Sequence, residues 1–353
     1  MKSKLPILTA VVLLAAGIFF WREPRQKSLR TLLSMAGQGS GGETDPAAEP
    51  ESRGGQEMVA EAAENLARWT SLQAKIRHRT DLYQQQLTGS GSYSQIRVEK
   101  IGDADREFRS RLSGSSLTAG APLKYRLELK LPVADHVSSL QQICDGEHLW
   151  IRRELPGDES LTRVNLKQVY DALNDAPADA TFDPARLWMS LGGLPKLLRG
   201  LHEYFAFAAP EQGQIGDQPV WLLSGTWQPE RLANVLPEHK AAILAGRPIP
   251  PDHWPPHLPD RVELALARDD EIPLFPFRID FRQTNAKKNR DSKAGQGGAG
   301  QGSGAPPSKS VVTFELFEVQ IGGPIDPQQF TFALTNQVPL DVTDEFLRGL
   351  GLR

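Results

Sequence analysis

Cysteine is almost absent from this sequence: Cys144 is the single one, so no intramolecular disulfide can form and the fold must rest on its core. Charge of one sign is also scarce. The formal net charge is −3 over 353 residues, and no basic stripe interleaved with aromatics is present, so nucleic acid is not an expected partner. The short motifs of phosphate, zinc and acyl-transfer chemistry are missing, with no P-loop, no H-E-x-x-H and no G-x-S-x-G. Two G-x-G-x-x-G matches, Gly37–Gly42 and Gly295–Gly300, lie in glycine-rich stretches without the strand before and helix after that aim amides at a pyrophosphate. Of seven histidines only His253 and His257 are close in sequence, short of the three or four ligands a zinc site needs. The run Asp269–Glu271 reads as a solvated turn, and Cys144 as a small buried hydrophobe with His148 its only local partner. These absences predict no catalytic residues, no metal and no cofactor.

What is present begins with an anchor. Lys2 and Lys4 precede an uncharged run, Leu5–Trp21, and Arg22, Arg25, Lys27 and Arg30 follow it. As a helix this run would reach roughly 25 Å, the short end of a bilayer span. It closes on Phe19-Phe20-Trp21-Arg22 rather than on a small-residue cleavage site, which favours an uncleaved membrane helix over a cleaved signal peptide. The flanking charges are nearly balanced and taken alone lean toward a cytoplasmic C-terminal domain. Residues 1–30 are thus predicted to be the anchor, and 31–57, rich in Gly, Ser, Glu and Pro, a flexible linker.

From residue 58 to 353 the dominant period is two. Tyr125, Leu127, Leu129 and Leu131 alternate with charged residues; Val262, Leu264 and Leu266 alternate with Arg261, Glu263 and Ala265, and Phe275, Phe277, Ile279 and Phe281 with Pro276, Arg278, Asp280 and Arg282. The acidic turn between the last two sets predicts an antiparallel hairpin, and Asp145-Gly146 predicts another between Leu140–Cys144 and Leu149–Arg152. Val312, Phe314 and Leu316 share one phase, whereas Phe317, Val319 and Ile321 take the other, which predicts a β-bulge. A glycine-rich stretch, 285–310, is expected to be a disordered insertion at a hairpin tip. Helices are expected at Met58–Trp69, Asp183–Ser190, Leu194–Phe207, Pro229–Leu236 and Thr343–Leu350, the third with Leu194, Leu197, Leu198, Leu201 and Phe205 on one stripe. The class is therefore α+β, mainly β, built on a curved antiparallel sheet or open barrel.

The segment Gln141-Gln142-Ile143-Cys144-Asp145-Gly146-Glu147-His148-Leu149-Trp150, the later Phe317-Glu318-Val319, and Ile325-Asp326-Pro327-Gln328-Gln329-Phe330-Thr331-Phe332 together resemble the LolA/LolB-like lipoprotein carrier superfamily. That resemblance implies an open half-barrel of about eleven strands, with helices packed on its concave face as a lid over a hydrophobic cavity for acyl chains. It implies a D-G-x-x-L-W hairpin turn and a late F-x-F strand. It also places the domain in the periplasm; the anchor read above, which departs from the family's soluble carriers and lipid-anchored receptors, then makes this an inner-membrane protein with a single N-terminal transmembrane helix. No cavity residue transfers by motif. The apolar positions nominated as lipid-binding are Phe277, Phe281 and Phe314 on the sheet, with Leu197, Leu201 and Phe205 on the lid. The function expected is non-catalytic binding of lipid or lipoprotein acyl chains. The alternative is a periplasmic sensor or scaffold with a filled core that docks an envelope protein partner.

Overall fold

Alternation of apolar and polar residues turns most of the chain into strand, and the computed structural model describes residues 54–82, 85–98, 123–133, 135–175, 193–250, 253–255, 258–283, 309–333, 338–350 and 352. Helix α1, Gly55–Arg68, leads into β1 (Ser71–Leu82), β2 (Gln85–Arg97), β3 (Leu123–Val133), β4 (His136–Cys144), β5 (His148–Leu155) and β6 (Asp158–Asn165). Helices α2 (Leu166–Asp175) and α3 (Gly193–Tyr204) follow, then β7 (Phe205–Phe207), β8 (Glu211–Ile215) and β9 (Gln218–Trp227). An excursion carries α4 (Pro229–Val235) and α5 (Lys240–Leu244) over a small separate core of Leu236, Ile243, Ile249, Trp254 and Leu258. The chain then adds β10 (Arg261–Ala267), β11 (Pro276–Gln283), β12 (Lys309–Ile321), β13 (Leu340–Asp341) and α6 (Thr343–Leu350).

The strands form one open curved sheet in the order β13-β6-β5-β4-β3-β2-β1-β12-β11-β10-β9-β7, with β8 beside β9 on the same edge as β7. All pairings are antiparallel except that of β13 with β6. Among the described residues the count is thirteen rather than about eleven. Two of the strands, β7 and β13, have only three and two residues, too short to show a period in sequence.

Two features impose the curvature. In β12, Glu318 takes a left-handed φ of 49°, and the register with β1 slips between Gln73 and Lys75. This is the bulge that the phase change after Leu316 predicts. On β2, Gly89 and Gly91 let neighbouring backbone come very close: a Cβ added to Gly91 would lie 2.0 Å from the carbonyl oxygen of Glu128 on β3. Glycine inside a strand marks such a tight bend.

One face of the sheet carries the core. Leu72, Ile76, Tyr93, Tyr125, Leu129, Leu140, Leu149, Leu264, Ile279 and Leu316 all belong to one cluster with Met58, Ala62 and Leu66 of α1 and Leu194, Leu198 and Leu201 of α3. Burial of this face drives folding at roughly 25 cal/mol per Å² of apolar surface. A buried polar chain fastens the helices to it. The amide of Leu194 donates to the Tyr93 hydroxyl at 3.1 Å, that hydroxyl donates to Gln95 Oε1 at 2.7 Å, and Gln95 Nε2 donates to the Leu66 carbonyl at 2.7 Å. Burial pushes the Tyr93 hydroxyl pKa far up, so it stays a neutral donor.

Several expected boundaries shift. Helix α1 begins at Gly55, so 55–57 are helix rather than linker. Strand β12 begins at Lys309, so 309 and 310 are strand rather than insertion, and the Ser310 hydroxyl donates to Asp280 at 2.6 Å. Helix α3 ends at Tyr204, and Phe205 starts β7 because its neighbours pair with β9 instead of continuing the helix. The Phe330-Thr331-Phe332 segment is not a strand. Asp326 accepts from the Gln328 amide and starts a 3-10 turn, Pro327–Phe330. The expected anchor, the linker to residue 53, the Asp183–Ser190 helix and most of the insertion lie outside the described residues. No helix among the described residues is long and apolar enough to cross a membrane.

Candidate functional site

Register fixes which side chains share the inner face, because laterally paired residues in a sheet point to the same side. Ile279 pairs with Phe314, Phe314 with His78, and His78 with Gly89. One step along, Phe281 pairs with Val312, Val312 with Thr80, and Thr80 with Leu87. Further across, Leu129 pairs with Leu140, and Leu140 with Arg153. Apolar positions thus recur across the inner face from β11 to β5, with His78, Thr80 and Arg153 set among them.

All six nominated residues fall within this one apolar cluster, though not in the same way. Phe281 and Leu201 are buried, and Phe314 and Leu197 are half-buried. Phe277 is half-buried at the register slip between β10 and β11, edge-on to Phe275 with ring centroids 5.4 Å apart. Phe205 is not part of a helical lid. It packs in β7 against Trp227 at 4.5 Å, sealing the β9 edge. The half-buried apolar residues Leu87, Leu127, Leu155 and Phe314 complete the inner surface.

Polar groups that sequence reading missed also face inward. His78 is 4% exposed, and its ring lies over Gly89, with Nε2 3.1 Å from the Lys130 carbonyl oxygen. Only a residue without Cβ at position 89 leaves room for the imidazole. Thr80 and Ser138 are each 1% exposed, and their hydroxyls have no hydrogen-bond partner. The signal for all three was their parity with apolar neighbours: position 78 alternates with Ile76, and 138 with Leu140.

Burial pushes the His78 pKa below its usual 6.5, only partly opposed by the Lys130 carbonyl, and burial lowers that of His202 likewise. The unfolded chain therefore binds more protons, so stability is lost as pH falls through 6.5 toward the folded values. Thermal unfolding followed from about pH 7.5 to about pH 5.5 should show Tm falling with pH. A His78→Gln variant, which keeps an amide donor for Lys130, should show a flatter profile; an unchanged profile would show that His78 does not titrate in this window.

Other chemistry has little footing. Cys144 is buried, and desolvation pushes its thiol up to about 11, so it is neither ionised nor accessible. His253 is exposed and stacks on His239 at 5.3 Å, and among the described residues no group of three or more His, Cys, Asp or Glu could hold a metal. On the outer face a pocket of about 190 Å³ is lined mostly by charged and polar groups, several of them paired with one another. There Gln141 donates to Glu128 at 2.9 Å, and Arg152 pairs with Glu154 at 2.7 Å and Glu159 at 2.9 Å. The D-G-x-x-L-W turn is structural: the Asp145 carboxylate accepts from the amides of Glu147 at 2.8 Å and His148 at 2.6 Å, and from the Trp150 indole at 2.8 Å. Trp150 in turn stacks on Phe332, with centroids 5.3 Å apart, and fastens the C-terminal segment to the outer face.

These features define a class: an open, curved, mainly antiparallel sheet with helices on its apolar inner face. No family model matches the chain. No curated protein matches it either. Similar solved structures include a putative outer membrane lipoprotein-sorting protein domain from Vibrio parahaemolyticus, 10% identical over 78% of this chain and 95% of that one, with TM-score 0.30. A LolA superfamily protein from Nitrosomonas europaea is 12% identical over 79% of this chain and 98% of its own, with TM-score 0.26. A DUF1329 family protein from Desulfovibrio piger is 8% identical over 78% and 95%, with TM-score 0.30. The superfamily that the sequence resembles is represented among them. The overlays are loose, so the architecture stands on this chain's own strand pairing.

Proposed function

We propose that this chain is a non-catalytic envelope protein that holds the acyl chain of a lipid or lipoprotein against the inner face of its sheet. One observation carries the reading. Leu87, Leu127, Leu155 and Phe314 of the sheet, with Leu197 of α3, are apolar, half-buried and continuous with the sealed core. An extended hydrocarbon chain laid on such a surface gains about 0.8 kcal/mol per methylene buried. In this reading Phe314, Phe277 and Leu197 touch ligand, whereas Phe281 and Leu201 form the floor and Phe205 closes the edge. Residues 1–30 hold the protein in the inner membrane as a single-pass anchor, 31–54 tether it, and the domain from 55 onward works in the periplasm.

The test is native mass spectrometry of the full chain after mild extraction, together with titration of a fluorescent fatty acid. A co-purifying lipid and saturable fatty-acid binding are expected. Absence of both would sink the reading and point to a filled interior that docks a protein.

A further inference from the structure

A cation interrupts the apolar alternation of β5. Leu149, Ile151 and Leu155 all belong to or pack against the core, and Arg153 stands between them with the same parity. Its lateral partner on β4 is Leu140, itself in the core, so the guanidinium is set on the inner face rather than the charged outer one. The acidic residues beside it are engaged elsewhere. Glu154 accepts from Ser139 at 2.7 Å and pairs with Arg152, and Glu159 also pairs with Arg152. Arg153 itself is half-buried, and its Nε donates to the Ser160 hydroxyl at 3.0 Å. Among the described residues no carboxylate pairs with it.

Ser138 supplies the second observation. Its hydroxyl is buried without a hydrogen-bond partner among the described residues, a penalty that a bound polar group would relieve. Ser138 lies two residues from Leu140 on the same face, diagonal to Arg153. Diagonal positions are about 7–8 Å apart, within reach of a long side chain. A guanidinium with the Ser160 hydroxyl beside it and the unsatisfied Ser138 hydroxyl one diagonal away on the neighbouring strand is a donor set for a carboxylate or phosphate, which accept from the planar fork of Arg.

We infer that Arg153, Ser138 and Ser160 form a head-group site for an anionic amphiphile, its hydrocarbon tail lying against the half-buried Leu155 and Leu127. The inference rests on the acyl-chain reading above and adds a charge requirement to it. An unionised tail would leave the cation facing hydrocarbon, whereas an anionic head neutralises it where water is scarce.

The experiment titrates the full chain with cis-parinaric acid and, separately, with its methyl ester, at about pH 8 so that the acid is ionised. The acid should bind about tenfold or more tightly than the ester, the scale of one charge-assisted hydrogen-bonded contact. Arg153→Gln should abolish that preference while leaving ester binding unchanged, Arg153→Lys should keep part of it, and Ser138→Ala should weaken the acid alone. Equal affinity of acid and ester, or an Arg153→Gln variant that keeps the preference, would overturn the site and leave the acyl-chain reading intact. Binding of neither probe would overturn both. If Arg153→Gln does not fold by circular dichroism, the wild-type comparison and Arg153→Lys decide. Dodecyl phosphate should displace the acid and inorganic phosphate should not; equal displacement by both would show a site for free anions and overturn the amphiphile.

Discussion

A Gly91→Val variant should fail to reach the native fold or should lose more than about 4 kcal/mol of stability, the range reserved for a few severe mechanisms. The mechanism here is backbone collision. A Cβ at position 91 would meet the Glu128 carbonyl oxygen at 2.0 Å and the Leu129 side chain at 2.9 Å, and the first of these cannot yield without parting β2 from β3. Gly89 is similarly placed, with Lys130 carbonyl oxygen at 2.2 Å and the His78 ring at 2.3 Å. The intrinsic preference runs the other way, since valine favours strand over glycine, so a loss here measures geometry alone. Ser92→Val, one residue on and exposed on the outer face, is the control and should stay within about 0.5 kcal/mol of wild type. Urea denaturation followed by circular dichroism reads both. A Gly91→Val protein as stable as the control would mean that β2 and β3 are not so closely apposed.

Phe275→Ala and Phe314→Ala should separate architecture from binding. Phe275 is fully buried between Trp69, at 6.1 Å between ring centroids, and Phe277, at 5.4 Å. Its truncation leaves a cavity and should cost about 3–5 kcal/mol, with little change in fatty-acid affinity per folded molecule. Phe314 is only half-buried on the inner face, so its truncation should cost less than about 2 kcal/mol yet, on the acyl-chain reading, weaken fatty-acid binding about tenfold. The two readouts should therefore move in opposite order. Phe314→Ala binding as tightly as wild type would remove that ring from the ligand surface.

Much of the sheet was legible because period two is a direct physical record of a face. The turn between Leu266 and Phe275, the Asp145-Gly146 turn and the phase change after Leu316 each mark a place where that record stops or shifts. What was illegible depended on distant partners. Thr88-Gly89-Ser90-Gly91-Ser92 has poor strand propensity, and it is strand because β1 and β3 hold both of its edges. Phe205 continues the helical stripe of α3, but the amide of Phe207 is taken by Gln56 Oε1 at 3.0 Å and the segment pairs with Trp227. Arg153 was hidden for a different reason. A charged residue in an alternating strand is normally counted with the solvent face, whereas its parity with Leu149, Ile151 and Leu155 and its pairing with Leu140 place it on the inner one.

The ends of the sheet bear on how this protein behaves when crowded. One margin is β7 and β8, three and five residues long with Pro210 between them, and the other is β6, shielded in part by the two residues of β13. Long unpaired margins recruit strands from other molecules. Here neither margin offers a long, regular ladder, and the part of β6 that β13 leaves uncovered begins with Asp158 and Glu159. Molecules held side by side at high local density would find little backbone to share. The half-buried part of the inner face can thus stay uncovered without its owners joining edge to edge into fibres.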